Sequence, residues 1–318
     1  MILSGGTTIL TVGDGSAGLA VSGSGASLTA TGAGPSTGVD VKTLGLGSIG
    51  ATNGFGSGLE PGGTMNLTNT TIVTEGQDAH AVAVGGPGSV TNLGVANTLT
   101  TQGDGAIGIY ATDGGVVNGT GGVTITTSGT NSEANGLSAF GVNADGPGSQ
   151  VNLAGLTVTT AGANAYGLFA SNGGAIDALA APSITTFGNG AIGVYALGSG
   201  SSITAGGASI VTDGDSATGL QADGGGGVTL SGGSVMTSGI GAPGLSVDGG
   251  GSKIIASNVA VTTNGSFDLS SESFSFGVIA SNGGSATFSG GSITTNGPVA
   301  HGVFAFNGGS IALSNGTT

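Results

Sequence analysis

The chain has 318 residues, 73 of them glycine and only 6% charged, with 16 acidic side chains against two lysines and a net charge of −14. With no arginine, and with Lys42 and Lys253 far apart, it lacks the basic stripe that nucleic acid or an anionic membrane surface demands. A hydrophobic content of 37% is too high for a chain kept unfolded by its charge, and the absence of cysteine removes disulfides and thiolate metal sites.

At the start, Met1 is followed by ILSGGTTIL with no basic segment ahead of an apolar run, so no signal peptide is visible. No stretch approaches the roughly 18 apolar residues of a spanning helix, so direct membrane insertion is not expected. The expectation is a piece of something longer.

From Thr11 onward the chain repeats. A small residue before an aliphatic recurs at Gly18, Gly38, Ala81, Gly108, Gly141, Gly167, Gly193, Gly219, Gly244, Gly277 and Gly302. A threonine stands seven residues before each, as at Thr11, Thr31, Thr74 and Thr101, or fourteen before, at Thr127 and Thr263. After the small residue comes an aliphatic (Leu19, Val82, Val142), and two further on Ala or Val (Ala111, Ala170, Ala305). The residue between is unrestricted, as in Tyr110, Asn143, Phe169 and Phe304. That period of two is a strand with one face buried and one free. A second strand ends at the threonine, where the residue two before it is aliphatic (Ile9, Ile72, Leu99, Ile125) in every unit except at Thr29. The segment between, such as SQVNLAGL or SATFSGGS, alternates well enough for a third.

Short strands separated by Gly, Asn and Asp, with no helical stretch, predict an all-β right-handed parallel β-helix, a solenoid of about 11 coils of ~26 residues. It forms one domain, 1–318. Residues 42–69 are expected as an irregular coil or loop, and seven-residue insertions fall at the same point of two repeats, near 128–135 and 265–272.

No catalytic, cofactor-binding or metal-binding residue is expected. The glycine stretches lack the helix or lysine of a phosphate cradle. His80 and His301 share a repeat position filled elsewhere by Ile107, Phe140 and Tyr166, and no third histidine or cysteine joins them as a zinc ligand. Asp14, Asp104, Asn189 and Asp215 cluster at one corner, and Asp113, Asp145, Asp223 and Asp248 at another. They read as turn formers, with weak Ca²⁺ binding as the alternative. A polysaccharide hydrolase or lyase on a β-helix would need paired carboxylates, and the nearest in sequence are Asp213 and Asp215. Outward T-x-T pairs, Thr98/Thr100, Thr124/Thr126 and Thr157/Thr159, raise an ice-binding solenoid as a lower alternative; threonine is also a good strand residue on a wet face. The insertions GTNSEANG and SFDLSSE leave one edge of the rod, which makes Asn131, Glu133, Asp268 and Glu272 candidate interaction residues.

The units AYGLFASNGGAI, AIGVYALGSG, SFGVIASNGGSATFSGGSITTNG and AHGVFAFNGG resemble the passenger domains of bacterial autotransporters, of the pertactin-like and adhesin-like β-helical kind. The resemblance implies secretion through a C-terminal outer-membrane β-barrel in the full-length chain and display at the surface of a Gram-negative cell. It also implies a non-enzymatic stalk or adhesin whose loops meet a host or neighbouring-cell ligand, glycan or protein. The sequence departs from that pattern in showing neither leader nor barrel, and no protease-type triad is present.

Overall fold

The computed structural model describes residues 1–34, 37–56, 58, 60–132, 136–267 and 274–318. The described residues form strands and turns with no helix, so none is long and apolar enough to cross a membrane. Three parallel sheets run the length of a right-handed β-helix: one of 12 strands, from Ile2–Ser4 to Ser310–Ser314, and two of 11, from Thr8–Thr11 to Ser292–Thr295 and from Ala17–Val21 to Val303–Ala305. The chain visits them in that order, once per coil, and we call them the first, second and third sheets. At about 4.8 Å per coil the rod is roughly 5 nm long.

Like stacks on like inside the rod. The aliphatic column of the second sheet, Val41, Ile72, Leu99, Ile125, Val158, Ile184, Ile210, Val235 and Val261, is buried throughout. Two columns of the third sheet, such as Ile109, Val142 and Leu168 with Ala111, Ala144 and Ala170, face it from across the core. Each large aliphatic removed from water contributes about 1.5–3 kcal/mol.

The threonine of the repeat is a buried staple. Thr101, Thr160, Thr186, Thr212 and Thr237 each donate their hydroxyl to the carbonyl of an alanine five residues on (Ala106, Ala165, Ala191, Ala217, Ala242), at 2.6–2.9 Å. Thr127 reaches past the first insertion to Ala139 at 2.8 Å. The hydroxyl thus closes the corner between the second and third sheets, where the ladder cannot. Two residues after the threonine stands a glycine, as at Gly103, Gly129, Gly162, Gly188, Gly214 and Gly239. A Cβ on any of these would overlap the carbonyl oxygen of the glycine one coil earlier, so only glycine lets the coils close up here.

Coil two corrects the expected register. Thr31, Gly38 and Val39 imitate the repeat, but the ladder runs Thr11, Thr43, Thr74, and Ala51 pairs with Leu19 and Val82. Val41, not Thr29, therefore fills the aliphatic column, which is unbroken. Residues 42–69 are accordingly not irregular throughout: they hold the regular strands Ile49–Asn53 and Thr64–Thr68. The imitation succeeds because the true coil is atypical, with Ala51 and Asn53 at positions held elsewhere by a larger aliphatic and by Ala or Val. Asn53 is fully buried, and its amide donates to the carbonyls of Gly63 (3.1 Å) and Val90 (3.0 Å). These bonds satisfy the amide N–H groups, while the Asn53 Oδ1 is buried without a partner.

Candidate functional site

The outer face of the third sheet departs most from a generic solenoid. Two columns meet on it, the residue before the small anchor and the residue two after, because the corner breaks strict alternation. The first column includes His80, Phe140, Tyr166 and Phe276, the second Tyr110, Phe169, Tyr195 and Phe304. Together they form a broken ribbon of three ring clusters, with Thr218, Gln221, Pro243 and Ser246 in the gap between Tyr195 and Phe276, and with His80, Phe140 and Phe276 buried. Phe140 stacks on Tyr166 (5.0 Å between centroids, 18°), and Phe169 on Tyr195 (5.3 Å, 30°), with Tyr166 edge-on to both Phe169 and Tyr195. Towards the end of the chain Phe274, Phe276, His301, Phe304 and Phe306 wall a groove of about 450 Å³. At the opposite end Phe55, His80 and Tyr110 make an edge-to-face cluster with centroids 5.3–5.9 Å apart.

His80 is buried there, its Nδ1 accepting the Ile107 amide at 3.0 Å. Burial lowers its pKa to about 4, so the imidazole is neutral and structural. His301 lies at the other end of the ribbon against Phe276 and Phe304.

Carboxylates border the ribbon at the corner leading to the first sheet. Asp223 accepts from the Tyr195 hydroxyl (2.9 Å) and the Gln221 amide (2.6 Å) on one oxygen, while its other oxygen is buried without a partner. Burial raises the Asp223 pKa, and burial beside that carboxylate raises the Tyr195 pKa. Asp248 lies in register with Asp223 one coil on and accepts from Ser281 (2.5 Å) and Asn282 (2.6 Å). Asp145 is held likewise by Ser171 (2.6 Å) and Asn172 (2.7 Å).

The other Asx corner serves the backbone. Asp14, Asp104, Asn189 and Asp215 accept the amides of Leu46, Thr130, Asp215 and Ile240 from the next coil at 2.7–3.0 Å. The Thr130 amide and hydroxyl together lower the Asp104 pKa. Asp213 and Asp215 thus form no facing pair; the two carboxylates stacked on adjacent coils are Asp223 and Asp248. Among the described residues no three His, Cys, Asp or Glu side chains gather as a metal ion would need.

Of the candidate interaction residues, Asn131 is exposed, pairs with Ser138 across an antiparallel bridge and accepts its hydroxyl. The first insertion is also tied back onto earlier coils: Ser132 donates to Asp78 at 3.1 Å and accepts from Gln77 at 2.8 Å. Glu133, Asp268 and Glu272 lie outside the described residues. The structure adds the grouping of the rings, half of which the sequence shows only as an unrestricted column, and the contact of Asp223, a corner residue in the sequence, with one of them.

The T-x-T pairs stack as two outward columns on the second sheet, Thr98, Thr124, Thr157 and Thr100, Thr126, Thr159. They continue as Ser183 and Thr185, and the second column then turns apolar at Val211 and Met236. Beyond the strand Val39–Thr43, no strand of this sheet carries a charged residue. On the first sheet, outward Asn66, Asn92, Asn118 and Asn152 form an amide ladder with bonds of 2.9–3.4 Å.

No protein-family model and no curated protein matches the sequence. Among solved structures, a chain of the Vag8–C1 inhibitor complex, determined by cryo-EM, superposes on 94% of this chain with a TM-score of 0.73 and 24% identity. The chain spans 65% of the length of that chain. The crystal structure of the periplasmic alginate epimerase AlgG aligns with 92% of this chain and 76% of its own, at 12% identity and a TM-score of 0.40, too loosely to bear on function. What the chain shares with Vag8, an autotransporter passenger, is the right-handed parallel β-helix fold.

Proposed function

We propose that the chain is a non-enzymatic segment of an autotransporter passenger, displayed outside a Gram-negative cell, and that it binds a protein ligand on the outer face of its third sheet. The observation that carries this reading is the ribbon of rings. A rod already stable through its inner columns has no folding need for half-exposed Tyr166, Phe169 and Tyr195, and amphipathic rings are what protein interfaces concentrate. The fold shared with Vag8, whose complex with C1 inhibitor is a protein–protein assembly, supports it.

C1 inhibitor is the first ligand to measure, by surface plasmon resonance on the immobilised 318-residue chain, followed by other serum proteins. Saturable binding that Phe169→Ser with Tyr195→Ser abolishes, without loss of the folded state by circular dichroism, is the expected result. Binding that the double variant leaves intact overturns the site, and no protein binding at all overturns the reading.

The stacked Asp223 and Asp248 favour a second reading, a glycan-cleaving enzyme that works through this pair of carboxyls. It requires turnover of an oligosaccharide that Asp223→Asn and Asp248→Asn each abolish.

A further inference from the structure

The reading above leaves the ligand's chemistry open, and the inference here rests on that reading. We propose that the third sheet binds an extended basic segment of its partner protein, one alternating Arg or Lys with apolar residues. The segment lies along the rod axis over Tyr166, Phe169 and Tyr195, with its cations towards Asp145, Asp223 and Asp248.

Charge complementarity carries the choice. The described charged groups on the third-sheet side of this corner are carboxylates, Asp113 among them; of the two lysines only Lys253 comes near, on the first-sheet side of the same corner. Lys42 is on the second sheet, paired with Glu75 at 2.7 Å, and Lys253 opens the first-sheet strand Lys253–Ser257. The ring faces attract cations in their own right, and they lie next to the carboxylates, since the Tyr195 hydroxyl touches Asp223. Hydrogen-bond polarity points the same way. Tyr195 and Gln221 give protons to Asp223, Ser171 and Asn172 to Asp145, and Ser281 and Asn282 to Asp248, so each carboxylate is held in place as an acceptor beside the π faces. A guanidinium or ammonium brings donors only, which suits the remaining lone pairs of these carboxylates.

The length fits an extended chain. Asp145, Ser171, Leu197, Asp223 and Asp248 pair in turn from coil to coil. Four steps of about 4.8 Å make roughly 19 Å, which an extended segment of about six residues spans. Its side chains alternate, so residues of one kind face the rings and those of the other the carboxylates.

The test is fluorescence anisotropy of a labelled short peptide alternating arginine and leucine, titrated with the complete 318-residue chain at low and at physiological salt. Saturable binding that weakens with salt is expected. Asp223→Asn with Asp248→Asn should weaken it about tenfold, and Phe169→Ser about fivefold. Asp177→Asn, which removes one charge from an exposed position on the first sheet and is set against Asp223→Asn alone, should leave it unchanged. Equal binding of a glutamate–leucine peptide, equal loss with Asp177→Asn, or saturable binding of a neutral oligosaccharide in the peptide's place overturns the proposal. If the peptide fails while a whole protein still binds through Phe169 and Tyr195, only the basic-segment inference falls. If neither binds, the reading of the face falls with it.

Discussion

The outer faces of the second and third sheets share one backbone, one pitch and one core, yet carry opposite chemistry. The second presents threonine and serine hydroxyls with no charge beyond the strand Val39–Thr43. The third presents rings bordered by carboxylates, including the half-buried Asp223 whose second oxygen has no partner. Threonine on a wet strand is what β-propensity selects, so the second face needs no ligand to explain it. Rings are good strand residues too, but clustering them on one outer face beside a partly desolvated carboxylate is more than propensity asks. The contrast separates residues that make the rod from residues the rod displays.

Substitutions can break that separation. The largest effect is expected at the glycine column: Gly162→Val would drive a side chain into the Gly129 carbonyl and destabilise the fold by about 3 kcal/mol or more, abolishing both faces together. Thermal unfolding followed by circular dichroism measures it, and a variant as stable as the parent would refute the close stacking. Acid should weaken the third sheet at its His80 end. The imidazole takes up a proton near pH 6.5 when unfolded but only near pH 4 when folded. Stability is therefore complete above pH 6.5 and declines as the pH falls towards 4, by about 3 kcal/mol. Urea unfolding across that range should show the decline, and His80→Phe should flatten it. A smaller loss, about 1–2 kcal/mol, is expected of Thr186→Val, which keeps the shape but leaves the Ala191 carbonyl without its donor. Smallest of all is Thr126→Ala on the second face, within about 0.5 kcal/mol and with no change in ligand binding. A marked loss of binding there would overturn the comparison itself.

Much of this rod is legible in its residues, because a parallel β-helix stacks each column on itself. The aliphatic columns, the threonine ladder and the corner residues each repeat a single choice along the chain. Coil two misleads, since Thr31, Gly38 and Val39 reproduce the spacing while Ala51 and Asn53 depart from it. The glycine column resolves the ambiguity: two residues after Thr43 stands Gly45, whereas two after Thr31 stands Ala33. The alanine that accepts the hydroxyl of Thr101, Thr160 or Thr186 is also in the sequence, but a small residue in a turn carries no sign of accepting through its backbone. The ring ribbon is harder still to read. Its two columns are three residues apart, a spacing that a regular strand would send to opposite faces, and only the bend at the anchor glycine brings them together.

The corner between the glycine column and the hydroxyl-accepting alanine has a further consequence. After Thr127 and again after Thr263 it takes in seven more residues, while the pairings on either side, Thr127 with Thr160 and Val142 with Leu168, Thr263 with Thr295 and Val278 with Val303, keep their places. Each coil therefore has one spot where chain length is nearly free, fenced by two landmarks that are not. Lineages of such rods would be expected to diversify there first, since extra length at that spot leaves the strand pairings on both sides in register.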